Sequence, residues 1–255
     1  MTLRLNRTGL FLSLAIASAL LAAPGVRAQS PKPIFDGRLT LKPAVLSTAE
    51  EKLMKDKVVP DARRQWHERG RDGVCEVGFQ PTALDAAPGS FTAPKAAQKA
   101  ILYKYCTFGH DMALDGIAVI ENGRLVAHVI FEGGENRAIG ALPDINGNGL
   151  SEIAITGGAT NQGITSAWIA IIELTAGDVT RLGRTATYSD DCGVNEKSCK
   201  ITANRISVIA GKTPAFYREV FTDTGAAAGP SSWKKVIGLS PVSLDEDQVE
   251  YEFLP

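Results

Sequence analysis

The feature that most constrains the fold is a series of short apolar runs, separated by turn-forming residues, that begins near residue 99. The runs are rich in β-branched and aromatic residues and have the length of strands. Asn122-Gly123 separates two of them and favours a hairpin, because both residues tolerate positive φ. We therefore predict a mainly β fold of antiparallel sheets, arranged as a sandwich or a barrel, or in a propeller-like way. The predicted strands are residues 101–106, 117–120, 125–131, 167–174, 179–187, 201–210, 215–221 and the alternating Val249, Tyr251 and Phe253.

The region before these strands contains helix signals and prolines. Ser47 with Glu50 forms a potential capping box, which predicts a helix over 49–57. Pro60 is expected to end it and to begin a second helix over 61–69, with Trp66 as its anchor. Residues 80–95 hold three prolines and are predicted to form a loop.

The first 28 residues have the pattern of a cleavable signal peptide. Arg4 and Arg7 precede an apolar run over 9–23, and Val26-Arg27-Ala28 fits the cleavage rule, so the mature chain would begin at Gln29. The run is shorter than the ~20 residues of a membrane span, and no second long apolar run follows. We expect an exported protein without a membrane span, in the periplasm or outside the cell.

The charge balance argues against a nucleic-acid partner. The predicted signal peptide holds three arginines and no acidic residue, which leaves 24 basic and 28 acidic residues in the mature chain. The resulting net charge is −4, and no basic block resembles a nucleic-acid footprint.

Four cysteines in an exported chain predict two disulfides. Three pairings are possible for Cys75, Cys106, Cys192 and Cys199. Pairing of Cys192 with Cys199 closes a short polar loop and leaves Cys75 for Cys106. Zinc is the alternative, but no C-x₂-C spacing is present and Cys106-x₃-His110 is only a fragment of a metal motif.

Residues 144–152 carry the strongest chemical signal. Oxygen-bearing side chains stand at positions 1, 3, 5 and 9 of this loop, Gly149 allows a sharp turn at position 6, and the Leu150 carbonyl would serve at position 7. Ca²⁺ takes six to eight such hard oxygen ligands. The predicted side-chain ligands are Asp144, Asn146, Asn148 and Glu152. An ordinary turn rich in Asx residues is the alternative interpretation.

An EF-hand is disfavoured, because Ile155 occupies position 12 and Pro143 precedes the loop. The run from Asp144 to Ile155, with Gly157-Gly158 and the apolar segment that follows, resembles one FG-GAP repeat over about residues 137–175. Such repeats form β-propeller blades in integrin heads and in bacterial VCBS-type exported proteins. The resemblance implies a calcium loop between two strands. The family usually has aspartate at the third or the fifth position, whereas this chain has asparagine at both. Only Asp144 and Glu152 bring charge, so we expect an affinity of roughly 10⁻⁴–10⁻³ M.

Catalytic motifs are scarce. The histidines are His67, His110 and His128, and Gly109-His110-Asp111 is the most catalytic-looking group. The sequence has no G-x-S-x-G, Walker, H-E-x-x-H or dinucleotide motif. Two roles are considered for four aromatic residues, which are stacking against a sugar and packing in the core: Trp168, Tyr217, Trp233 and Tyr251.

The chain is thus divided into a signal peptide (1–28), an extended segment (29–45), a helical preface (46–72) and a β domain (73–255). We expect an exported, calcium-binding, non-enzymatic module that binds a protein or a glycan. The alternatives are a secreted hydrolase with structural calcium, which uses His110 or a carboxylate, and a β scaffold that binds no metal.

Overall fold

Two antiparallel β-sheets and one interrupted helix form the part of the chain that the computed structural model describes. The prediction of a mainly β fold with a short helical region near its N-terminus is confirmed. The predicted signal peptide, His110, the turn at 176–177 and the strand predicted around Tyr251 lie outside the described residues. The described residues are 29–39, 43–68, 75, 79–108, 112–133, 136–175, 178–194, 199–223 and 232–244.

The strands of the described residues form a small sheet of four strands and a large sheet of eight. The helical region comprises α1 (Thr48–Leu53), a π-helical turn (Met54–Val58) and α2 (Val59–Glu68). The small sheet consists of β2 (Phe79–Gly89), β3 (Gln98–Phe108), β4 (Met112–Glu121) and β5 (Arg124–Gly133). The large sheet consists of β1 (Lys32–Asp36), β6 (Asn136–Ala141), β7 (Ile153–Asn161), β8 (Ile164–Thr175), β9 (Asp178–Asp190), β10 (Ile201–Ile209), β11 (Ala215–Asp223) and β12 (Lys234–Pro241). The strand order is β2-β3-β4-β5 in the small sheet and β12-β11-β10-β9-β8-β7-β6 in the large sheet, where β1 pairs with β10.

Neighbouring strands in both sheets are mostly consecutive in the sequence, so short hairpins generate most of the topology. The predicted Asn-Gly hairpin joins β4 to β5, with φ of 48° at Asn122 and 72° at Gly123. Gln162 and Gly163 adopt similar angles, 49° and 80°, between β7 and β8. Both turns have the left-handed pair of residues that suits the twist of a two-residue hairpin.

The two sheets pack face to face through an inter-sheet core. Alternation along β8 sends Trp168, Ala170 and Ile172 into this core, while Ile169 and Ile171 enter an outer core on the opposite face. In β3, Ala100 and Leu102 face the inter-sheet core, and their neighbours enter a helix core beneath α1 and α2. β3 and β8 are therefore buried on both faces, which explains their near-continuous apolar sequences.

The prediction of a loop over 80–95 is wrong in its first half, where the chain forms β2 from Phe79 to Gly89. β2 is an edge strand that pairs with β3 in the small sheet, and the edge tolerates proline because one row of N–H groups needs no strand partner. Pro81 also lies where the register shifts between Phe79 and Thr82.

The helical region begins as predicted and continues further than predicted. Ser47 and Glu50 form the capping box, in which the Ser47 N–H donates to Glu50 Oε2 at 2.8 Å. The break expected at Pro60 is absent, and α2 starts at Val59. In the π-helical turn just before Pro60, the backbone hydrogen bonds span five residues instead of four. The helix therefore continues past this proline.

The helices cover the outer face of the small sheet. Met54, Val58, Ala62 and Trp66 are buried in the helix core, and Trp66 is only 4% exposed, so its predicted anchoring role is confirmed. No helix among the described residues has the length and apolar character needed to cross a membrane.

Both predicted disulfides are present. Cys75 pairs with Cys106 within the helix core, and Cys192 pairs with Cys199 in the connection between β9 and β10. Their Cα atoms are 5.6 and 4.4 Å apart, respectively. Disulfides are typical of proteins that mature in an oxidising compartment.

A series of hydrogen-bonded side chains fastens α2 to the small sheet; His128 and Tyr103 are buried, and Asp61 is partly exposed. His128 Nδ1 lies 2.6 Å from Asp61 Oδ2, and His128 Nε2 lies 2.5 Å from the Tyr103 hydroxyl. Burial lowers the pKa of His128, although the hydrogen bond and charge of Asp61 oppose this. In the neutral tautomer with its proton on Nδ1, the ring donates to Asp61 and accepts from the Tyr103 hydroxyl. Burial raises the pKa of Asp61, but hydrogen bonds from His128, Arg64 and Gln65 outweigh this and lower it to about 2.

Asp61→Asn should lower the free energy of unfolding at pH 7 by about 1–3 kcal/mol, because it removes an acceptor of charge-assisted hydrogen bonds. The folded pKa of Asp61 is below the unfolded value of 3.8, so its contribution is present above pH 3.8 and disappears as the pH falls through about 2. Urea unfolding across this range measures the difference. Asp56→Asn, on the exposed side of the same helix, is the control and should change little. Equal losses in the two variants would contradict the assigned role of Asp61.

Two buried aspartates in the small sheet differ in how their oxygens are satisfied. Asp85 accepts N–H groups from Ala44, Ala86 and Ile139, the last of which belongs to the large sheet. Asp115 is fully buried and accepts only from Asn136 Nδ2, while its Oδ1 has no partner among the described residues. Burial raises the pKa of Asp115 to about 6.

Asp115→Asn should therefore stabilise the fold at pH 8, by up to about 3 kcal/mol, because it removes a poorly solvated charge. The folded pKa of Asp115 lies above the unfolded value of 3.8, so wild-type stability should rise as the pH falls from about 6 to 3.8, and the variant should lose this dependence. Asp85→Asn is the matched comparison, and should destabilise by about 1–3 kcal/mol because its amide would face N–H donors. Denaturant unfolding at pH 8 and pH 4.5 measures both effects, and a destabilised Asp115→Asn variant would contradict the first.

Candidate metal centre

The loop over residues 144–152 connects β6 to β7, so strands flank it on both sides as the sequence predicts. The Leu142 N–H donates to the Glu152 carbonyl at 2.8 Å and closes the base of the loop. Ile145 is fully buried and packs in the outer core together with Leu142. One side chain near the start of the loop is thus held inside the protein, while Asp144 next to it is exposed.

Asp144 organises the backbone of the loop. Its Oδ1 accepts from the N–H groups of Gly147 at 2.6 Å and Asn148 at 3.2 Å, and its Oδ2 accepts from Gly149 at 2.8 Å. Gly147 and Gly149 have φ of 86° and 88°, values that favour glycine. This wrapping of the chain around the first carboxylate suits a cation loop, and an Asx-rich turn has the same bonds.

The two asparagines point their amide groups at a common partner outside the loop. Asn146 Nδ2 and Asn148 Nδ2 both donate to Glu173 Oε2, the latter at 2.5 Å. Their Oδ1 atoms accept from loop N–H groups, Asn146 from Asn148 at 3.1 Å and Asn148 from Leu150 at 2.8 Å.

Glu152 is the most unusual member of the loop. It is fully buried, its Oε2 accepts from the Ile145 N–H at 2.9 Å, and its Oε1 has no partner among the described residues. Burial is the main cause that raises the pKa of Glu152 to about 7; the charges of Asp144 and Glu173 act in the same direction, and two backbone hydrogen bonds oppose it. A buried carboxylate oxygen of this kind needs a proton or a cation.

The predicted ligands fit a calcium ion in their chemistry, because all of them offer oxygen. Within the described ranges, no group of three or more His, Cys, Asp or Glu side chains is arranged to hold a metal. The predicted set contains only two such residues, Asp144 and Glu152, and draws its other oxygens from amides and a carbonyl. The observation that favours a cation is the unpartnered, buried Oε1 of Glu152.

Sequence reasoning missed Glu173 as part of this site. It lies in β8, 7% exposed, within the apolar run that predicted a buried strand. A charged residue inside such a run is itself a signal, because a buried carboxylate requires partners. The partners of Glu173, which are Asn146 and Asn148, could not be identified from the sequence because they lie 27 and 25 residues away along the chain.

The loop is also bonded to two distant connections. The Ser151 N–H donates to the Ser90 carbonyl at 2.8 Å, and the Ser90 N–H donates to Ser151 Oγ at 3.2 Å, in the connection between β2 and β3. The Gly211 N–H donates to the Ile145 carbonyl at 2.8 Å, from the turn between β10 and β11. The loop therefore joins parts of both sheets.

The described residues assemble no catalytic group around the histidines. His67 lies on α2, whereas the side chain of His128 is 3% exposed and held between Asp61 and Tyr103 beneath the helix. His110, which the alternative hypothesis of a secreted hydrolase invokes, lies outside the described residues. The hydrogen-bonded series Asp61–His128–Tyr103 resembles a proton relay, but Tyr103 is fully buried and out of reach of a substrate.

A cleft of about 650 Å³ lies between α1, the π-helical turn and β2, apart from the loop. Its lining is mostly apolar and includes Met54, Val59 and Pro81, with Glu51 and Lys55 among its charged groups. Of the aromatic residues considered for sugar stacking, Trp168 belongs to the inter-sheet core, where the Arg184 guanidinium lies 4.4 Å from its ring centre.

Comparisons with known proteins provide no independent assignment. No family model matches the chain, and neither the curated proteins nor the solved structures compared with it give a match. The resemblance to an FG-GAP repeat therefore stays a prediction that depends on the residues of the loop itself.

Proposed function

We propose that the loop over residues 144–152 binds Ca²⁺ and that the ion has a structural role in an exported β module. The module binds a protein or a glycan and performs no chemistry. The observation that carries the metal proposal is Glu152, whose buried Oε1 has no partner among the described residues and which lies near the charges of Asp144 and Glu173. A divalent cation would compensate this concentration of negative charge.

The ion would be held by the side chains of Asp144, Asn146, Asn148 and Glu152 and by the carbonyl of Leu150. Ca²⁺ supplies charge compensation and cross-linking of a loop that otherwise depends on its own hydrogen bonds. The chain positions these groups by folding the backbone around Asp144 and by burying Ile145.

A structural role is supported by what the loop contacts. Its hydrogen bonds reach Ser90 in one connection and Gly211 in another. An ion that fixes the loop would therefore stabilise the junction between the two sheets. Export is supported by the two disulfides and by the signal-peptide pattern of residues 1–28.

Thermal unfolding of the exported protein should depend on calcium. At free Ca²⁺ ten times Kd, linkage predicts a gain of about 1.4 kcal/mol, which raises Tm by roughly 3–5 °C relative to EDTA. Mg²⁺ at equal ionic strength should give a smaller rise, since it demands a tighter octahedral site. Glu152→Gln keeps an acceptor for the Ile145 N–H but removes a charged ligand, and should abolish most of the calcium effect.

A wild-type protein that is folded but shows no rise up to about 10 mM Ca²⁺ would leave the loop as an Asx-rich turn, because even weak extracellular modules bind below this concentration.

The non-enzymatic part of the proposal has a separate test. Under this proposal the purified protein should turn over neither glycosides nor esters; for esters, the sequence has no G-x-S-x-G nucleophile motif. Turnover that His110→Ala abolishes would replace this proposal with that of a secreted hydrolase.

A further inference from the structure

The two asparagines of the loop have an orientation problem that aspartates would not have. A carboxylate presents oxygen whichever way it turns, whereas an amide presents oxygen on one side and an NH₂ group on the other. Asn146 and Asn148 can serve a cation only if both amides turn their oxygens toward it. A loop with asparagine at both positions therefore needs something that fixes the amides.

Glu173 has the geometry to do this. Its Oε2 accepts from Nδ2 of Asn146 and of Asn148, so one carboxylate oxygen holds both NH₂ groups. A carboxylate only accepts hydrogen bonds, so neither amide can turn its oxygen toward Glu173 without losing the bond and creating repulsion. The two Oδ1 atoms are thereby directed to the loop, where they accept from the N–H groups of Asn148 and Leu150.

The scaffold beneath Glu173 is rigid. Glu173 is 7% exposed and lies in β8 between Ile172 and Leu174, both of which are buried in the inter-sheet core. Glu173 pairs with Thr180 of β9, and β8 is also paired to β7 as far as the preceding residue, Ile172. A group fixed in this way can orient more mobile side chains that contact it.

We propose that Glu173 is the positioning residue of the calcium loop, which fixes the amides of Asn146 and Asn148 so that both offer oxygen to the ion. This inference rests on the proposed calcium function. It also explains how the chain can use asparagine at the third and fifth positions: the negative charge is placed behind the amides, on a neighbouring strand. Glu173 itself is not a ligand.

Partners that orient metal ligands from outside typically contribute about 10–100-fold in affinity. We therefore expect Glu173→Ala to weaken Ca²⁺ binding by about 10–100-fold. Glu173→Gln should weaken it less, because its amide oxygen can still accept from both asparagines but no longer excludes the reversed orientation.

The decisive comparison is with Asn146→Asp/Asn148→Asp, the double-aspartate variant. Its carboxylates need no orientation, so Glu173→Ala in this background should change the Ca²⁺ affinity by less than about threefold, or should increase it by relieving repulsion. A purely structural role of Glu173 would weaken binding in both backgrounds. Isothermal titration calorimetry of the exported protein with CaCl₂ measures all affinities, and circular dichroism verifies folding.

The outcomes separate this inference from the function on which it rests. Absence of Ca²⁺ binding by the wild type would overturn the proposed function and the inference with it. Wild-type binding with Glu173→Ala within about threefold of it, or with equal losses in both backgrounds, would overturn the positioning role alone. If Glu173→Ala does not fold, the same comparison with Glu173→Gln decides: a loss confined to the asparagine background supports the inference, and any other result refutes it.

Discussion

The burial of β8 on both faces is the interaction on which the rest of the structure depends. One face of this strand supplies Trp168 and Ile172 to the core that joins the two sheets, and the other supplies Ile169 and Ile171 to the outer core. At about 25 cal/mol per Å² of buried apolar surface, a strand buried on two faces contributes far more than one with a solvated face. Ile145, in the loop of the candidate site, packs in the outer core together with residues of the same strand. The loop is therefore anchored to the core.

Carboxylates enter this apolar framework at several places, and their surroundings decide their roles. Asp85 satisfies three N–H groups and ties the small sheet to the large one. Asp61 reaches into the sheet to meet a buried histidine. Asp115 and Glu152 are buried with an oxygen that has no partner among the described residues. Of these two residues, only Glu152 has further carboxylates close by, those of Asp144 and Glu173. This difference makes Glu152 part of a candidate cation site, whereas Asp115 is a buried carboxylate with an unsatisfied oxygen.

Strand periodicity and turn chemistry were sufficient to predict most of the β elements, including the Asn122-Gly123 hairpin and the strand over 167–174. The strand β2 was missed because its prolines were interpreted as loop residues, and tolerance of proline at a sheet edge depends on where the strand lies in the sheet. Pro60 was similarly overinterpreted, because a π-helical turn is not visible in local sequence. The loop residues were identified from their spacing, but Glu173 was not, since its partnership with Asn146 and Asn148 depends on a long-range contact.

The hydrogen bonds from the loop to Ser90 and Gly211 have a consequence for local unfolding. Three connections that are far apart in the sequence are joined by backbone hydrogen bonds. We therefore expect them to open as one cooperative unit, in which opening of one exposes the others. The amides of Ser151 and Gly211 would then exchange with solvent at a common rate, although they belong to different hairpins. The resistance of this end of the molecule to proteases would be set by that shared opening rather than by the flexibility of any one loop.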